Sequence, residues 1–161
     1  MKTTAELQAL HAELWAFREE MAGVWPTPEP LDSLRFSFTE AGEAMDAYLR
    51  VKGGYARNHA KEPDVLGELA DCAMMLMTAL GSDYEFDRWS TAIPSTLEDI
   101  GSEIGVTMLM ATTKWRYCES PITGTLWAIA QYPGMDLPTE LRKRMARIRA
   151  KHGKADTAAT Q

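Results

Sequence analysis

Between Pro63 and Gly81 the chain carries Leu66, Leu69, Ala70, Ala73, Met74, Leu76, Met77 and Leu80, which at helical spacing cover more than half of a helix surface. A helix so broadly apolar buries two sides, so it predicts either the central helix of a bundle or a helix at a subunit interface. Its start is marked by Pro63-Asp64 and its stop by Gly81. The rest of the chain is punctuated in the same way. Thr3 with Glu6 makes a capping box, and Leu7, Leu10, Leu14, Phe17 and Met21 follow at spacings of three and four, which predicts a helix over residues 4–22. The prolines of Trp25-Pro26-Thr27-Pro28-Glu29-Pro30 remove donors and fix φ, so this stretch reads as an extended connector. Asp32 or Ser33 then caps a second helix with Leu34, Phe38, Ala41, Met45, Tyr48 and Leu49, ending near Lys52-Gly53-Gly54. A fourth helix follows the box Ser95 to Glu98 and carries Ile100, Ile104, Met108 and Met110 toward Trp115. A short fifth segment runs from Ile122 to Tyr132 between two prolines, and a last helix runs from Leu137 to His152 with the stripe Leu141, Met145, Ile148.

No run alternates with period two, so the expected class is all-α, a bundle of about five to six helices. With 161 residues the chain has room for one core, read as a single domain over 1–153 with a polar tail over 154–161. No stretch approaches the roughly 18 apolar residues of a membrane span, and the charged N-terminal segment lacks the apolar run of a secretory signal. The expected setting is therefore cytoplasmic, without a membrane partner. Cys72 and Cys118 have no partner at metal-ligand spacing and read as reduced thiols. The net charge of −6 is unevenly spread: residues 62–87 contain no Lys, Arg or His, whereas Arg142 to Lys154 contain no acid and hold seven of the 17 Lys and Arg residues. A basic segment beside an acidic core suits a phosphate held next to a cation better than it suits a nucleic-acid polymer.

Glu40 and Glu43 stand three apart on the second helix, and Glu68 and Asp71 stand three apart on the third, so each pair projects from one face of its helix. A solvated acidic face is usually laced with Lys or Arg at spacings of three or four. No such neighbour of these four residues is basic; the neighbours are apolar, small or acidic. If the two helices pack together, the four carboxylates share one volume that repulsion forbids unless a cation neutralises it. An all-oxygen donor set favours Mg²⁺, or Mn²⁺, over zinc or copper.

The combination Glu40-Ala41-Gly42-Glu43, 24 intervening residues and Glu68-Leu69-Ala70-Asp71 resembles the ExxE and ExxD motifs of the MazG-like all-α nucleoside triphosphate pyrophosphatases, a group that includes dimeric dUTPases and dCTP pyrophosphatases. The resemblance covers residues 30–80 well and the last helix loosely. It implies a MazG-like bundle in which Glu40, Glu43, Glu68 and Asp71 ligate Mg²⁺ bridging a nucleoside triphosphate, while the broadly apolar third helix predicts a homodimer or homotetramer. The implied reaction is hydrolysis to a nucleoside monophosphate and pyrophosphate, a nucleotide-metabolism role. Thr39 stands where many members carry a further Glu, and Ile148 where their last helix has Asn. With Thr39 in place, Glu40 or Glu43 is the expected proton acceptor for the attacking water.

Arg144, Arg147 and Lys151 lie on one face of the last helix, spaced to grasp phosphate oxygens. Lys61, with Arg57 and His59, sits in the loop between the motif helices, read as a mobile lid that meets phosphate. Trp15 or Trp25 is the candidate for stacking on a base. A ferritin-like di-metal oxidoreductase is disfavoured, because neither motif contains the His that such sites use. The alternative is a catalytically inactive MazG-like helical interaction module.

Overall fold

The computed structural model of the chain describes residues 3–53, 64–86 and 96–152. Among these residues there are six α-helices and no strand: α1 (Thr4–Met21), α2 (Pro30–Gly53), α3 (Val65–Leu80), α4 (Leu97–Lys114), α5 (Glu119–Ala130) and α6 (Leu137–His152), with a 3₁₀ turn at Trp115–Tyr117 before α5. The all-α expectation holds. No helix among the described residues is long and apolar enough to cross a membrane. The loop residues Arg57, His59 and Lys61 and the tail from Lys154 lie outside the described residues.

Helix α3 is the hub, packing on α1, α2, α5 and α6. Its apolar side chains are buried as the pattern requires, from Leu69 to Ala79. Asp64 caps its start by accepting from the Gly67 amide at 3.0 Å, and Gly81 leaves it at φ 84°, a conformation that costs glycine little. The closest partner of α3 is α2. The buried side chains of α2 are Ser33, Leu34, Ser37, Ala41, Ala44 and Ala47, mostly small, so the two backbones approach closely. Of the stripe expected on α2, Phe38 and Leu49 are instead exposed, because the small residues face the core.

Several boundaries differ from the sequence expectation. Helix α2 starts at Pro30, since a proline at the first helical position gives up an amide that would have no partner; Asp32 lies inside the first turn, paired with Arg35. The box at the head of α4 is Thr96 with Asp99, not Ser95 with Glu98. On α4 the inward residues are Leu97, Ile100, Ile104 and Thr107, while Met110 faces outward. The fifth segment begins earlier, at Glu119, and is as buried as α3: every residue from Ile122 to Ala130 is inside, with Trp127 fully covered. Thr123 and Thr125 are tolerated there because each hydroxyl donates to a carbonyl one turn back, at 2.9 Å. The absence of any charge between Glu119 and Asp136 was the available signal for this burial.

A candidate metal centre between two helices

Three of the four motif acids meet. Glu40 comes from α2 and Glu68 and Asp71 from α3, and each offers a carboxylate oxygen such that the three lie within 4.8 Å of one another. The three-residue spacing on α3 points Glu68 and Asp71 to one side, and the close packing of α2 supplies Glu40 opposite. Glu68 is buried; Glu40 and Asp71 are half-buried. Glu43, one turn further along α2, is exposed and falls outside this trio.

Confinement of like charges changes the chemistry of Glu40. Burial first, then the charges of Asp71, Glu43 and Glu68, raise its pKa to about 7, against the partial relief given by Arg144. The neighbouring Cys72 thiol is pushed up by its full burial and by the charges of Glu40 and Asp71, so it stays an uncharged core residue.

Arg144 is the one basic side chain of α6 that reaches the acids. It is buried: its Nε donates to the Gly67 carbonyl at 3.2 Å and lies 3.3 Å from Asp71 Oδ2, while Nη2 lies 3.3 Å from Asp64 Oδ2. The passage for this side chain exists because residue 67 is glycine; a Cβ there would collide with both the Arg144 guanidinium and the Asp64 carboxylate. Asp64 thus serves as helix cap and anchor at once. The rest of the basic segment is used differently from expectation. Arg142 pairs with Glu13 at 2.8 Å and Arg149 with Glu20 at 2.6 Å, tying α6 to α1. Arg147 and Lys151 are exposed, so the expected row of three is divided between one buried and two solvated residues.

Thr39, in place of a further Glu, is exposed and donates to the Arg35 carbonyl of its own helix. Ile148 packs against the core. Trp15 does not reach the site. It is half-buried on α1, and its indole N–H is directed at His11 Nε2, 3.0 Å away. The tryptophan beside the acids is Trp25, on the connector before α2. Together with Pro26, Pro28, Phe36 and Met75 it lines a cleft of about 500 Å³ that Glu40 also borders. The trio and an apolar, aromatic-lined cleft therefore share one residue.

No protein-family model matches the chain, and neither a curated protein nor a solved structure matches it.

Proposed function

We propose that the chain is a Mg²⁺-dependent nucleoside triphosphate pyrophosphohydrolase with a MazG-like arrangement, releasing a nucleoside monophosphate and pyrophosphate. The observation that carries this reading is the meeting of Glu40, Glu68 and Asp71 within 4.8 Å, acids from two helices, with the pKa of Glu40 raised to about 7 by burial and by its acidic neighbours in spite of Arg144. The donor set is all oxygen, which suits Mg²⁺ or Mn²⁺, and the ion would supply the charge neutralisation that phosphoryl transfer requires.

The chain's own residues supply the remaining parts. Glu40, which borders both the trio and the cleft, is the carboxylate offered to the attacking water as proton acceptor. Arg144 stands 3.3 Å from Asp71 and offers a guanidinium to phosphate oxygens at the edge of the trio. The cleft bounded by Trp25, Phe36 and Met75 adjoins Glu40 and has the flat apolar walls that a base would fill. Glu43 is assigned a long-range electrostatic part in place of ligation. Self-association belongs to the same reading: Phe38, Val106 and Leu109 on α2 and α4 are large, apolar and between 46% and 70% exposed.

The test is a thermal-shift series with Mg²⁺ or Mn²⁺ and an α,β-imido nucleoside triphosphate, together with pyrophosphate release from a panel of nucleotides. We expect a cation-dependent rise in Tm and turnover, both lost in Glu68→Gln. A chain without either response is a helical interaction module and no enzyme.

A further inference from the structure

Arg18 of α1 is 1% exposed. Its Nη2 donates to Thr78 Oγ1 at 3.0 Å and touches Met75 Sδ at 3.9 Å, while Nε and Nη1 are buried without a hydrogen-bond partner. Among the described residues no carboxylate pairs with this buried guanidinium, an expensive arrangement, and desolvation lowers its pKa to about 10. The core would be cheaper with an apolar side chain there, so the position of the charge calls for a reason. The guanidinium carbon lies 3.9 Å from the centre of the Trp25 ring, and Phe17 packs against the same indole with ring centres 5.7 Å apart. Two of the residues against Arg18, Trp25 and Met75, are walls of the cleft that Glu40 borders.

We propose that Arg18 is a positioning residue for the ring of the substrate: it holds Trp25 from behind and sets that indole as the stacking wall for a planar, uncharged heteroaromatic ring. This rests on the nucleotide reading above. Trp25 follows the end of α1, where its amide donates to the Met21 carbonyl at 2.8 Å, a bond that holds the backbone and leaves the rotamer of the indole to its side-chain neighbours. The guanidinium over the ring fixes it, and being planar and weakly hydrated it costs less to bury there than an ammonium would. Among the described residues no acid pairs with that cation, which leaves it on the indole. Its charge draws electron density from the indole, which leaves the ring suited to an electron-rich base and unsuited to a cation.

The experiment compares two probes by calorimetry in the presence of Mn²⁺: an α,β-imido nucleoside triphosphate, which carries a ring, and inorganic tripolyphosphate, which does not. The wild type is expected to bind both. Arg18→Met should weaken the nucleotide about ten-fold while leaving tripolyphosphate within about two-fold, and Arg18→Lys should recover part of the loss. Trp25→Leu, which keeps an apolar side chain on a half-buried connector residue, should show the same split, and answers the question if Arg18→Met fails to fold. Nucleotide affinity unchanged in Arg18→Met or in Trp25→Leu overturns the proposal, as does an equal loss of both probes. A wild type that binds neither probe overturns the nucleotide reading itself, a result distinct from the loss of ring selectivity alone.

Discussion

The Arg144 Nε and the Asp71 Oδ2 lie 3.3 Å apart, which places one positive charge inside a group of acids that face each other from two helices. Arg144 and a divalent cation therefore compete for part of the same negative field. Replacing Arg144 with Met removes that competitor and a phosphate donor together. The variant should bind Mn²⁺ alone more tightly, by about ten-fold, and bind a Mn²⁺–triphosphate pair less tightly, by a similar factor. Titration calorimetry with and without the nucleotide reads both signs, and a variant in which both affinities move the same way contradicts this division of roles.

Gly67→Ala tests the channel through which Arg144 passes. In an exposed helix interior this change stabilises by about 1 kcal/mol. Here the added methyl meets the Arg144 guanidinium and the Asp64 carboxylate, so the cap of α3 and the ion pair are disturbed together. The expected result is a loss of about 1–3 kcal/mol in urea unfolding, the opposite sign from the propensity effect.

What could be read in advance follows from the distance over which each interaction acts. The helices were legible because capping residues, prolines and apolar spacing act within a few residues: Thr3 with Glu6 and Gly81 stand where expected. Glu68 and Asp71 were legible as a pair for the same reason. Glu40 meeting them, and Glu43 failing to, depends on how α2 rotates against α3, and that is set by Ser37, Ala41 and Ala44, small residues that give a weak apolar signal. The arginine against the acids comes from α6, so no inspection of helical neighbours could find it. Trp15 and Trp25 differ in the same way: only the packing of the connector on α1 and α3 shows which borders the cleft.

Glu43 and Glu68 should separate cleanly. Glu68 is 5% exposed within the trio, whereas Glu43 is exposed outside it. Glu68→Gln should reduce Mn²⁺ affinity more than ten-fold, and Glu43→Gln should leave it within about three-fold, the size expected when only a screened charge is lost. Pyrophosphate release should follow the same order. A Glu43→Gln variant as impaired in cation binding as Glu68→Gln would place Glu43 in direct contact with the ion.

The raised pKa of Glu40 also makes a prediction about stability. With a folded value of about 7 against 4.5 when unfolded, the native state holds more protons than the unfolded chain between those two values. The cation-free protein must therefore lose stability as pH rises from about 4.5 to 7, through the ionisation of Glu40 in its partly buried position and against Asp71, Glu43 and Glu68. His11 works in the opposite direction: burial lowers its pKa below 6.5, so it costs stability as pH falls through that range. The two slopes oppose each other in the wild type, and the difference between wild type and Glu40→Gln isolates the first. The variant should be the more stable at pH 7.5, by about 1–2 kcal/mol after allowance for the partial exposure of Glu40, and the gap should close toward pH 4.5. Mn²⁺ should remove the gap at pH 7.5 by stabilising the wild type alone. A gap that does not change with pH would mean that Glu40 is not strained by its neighbours, and the electrostatic case for a cation at this place would go with it.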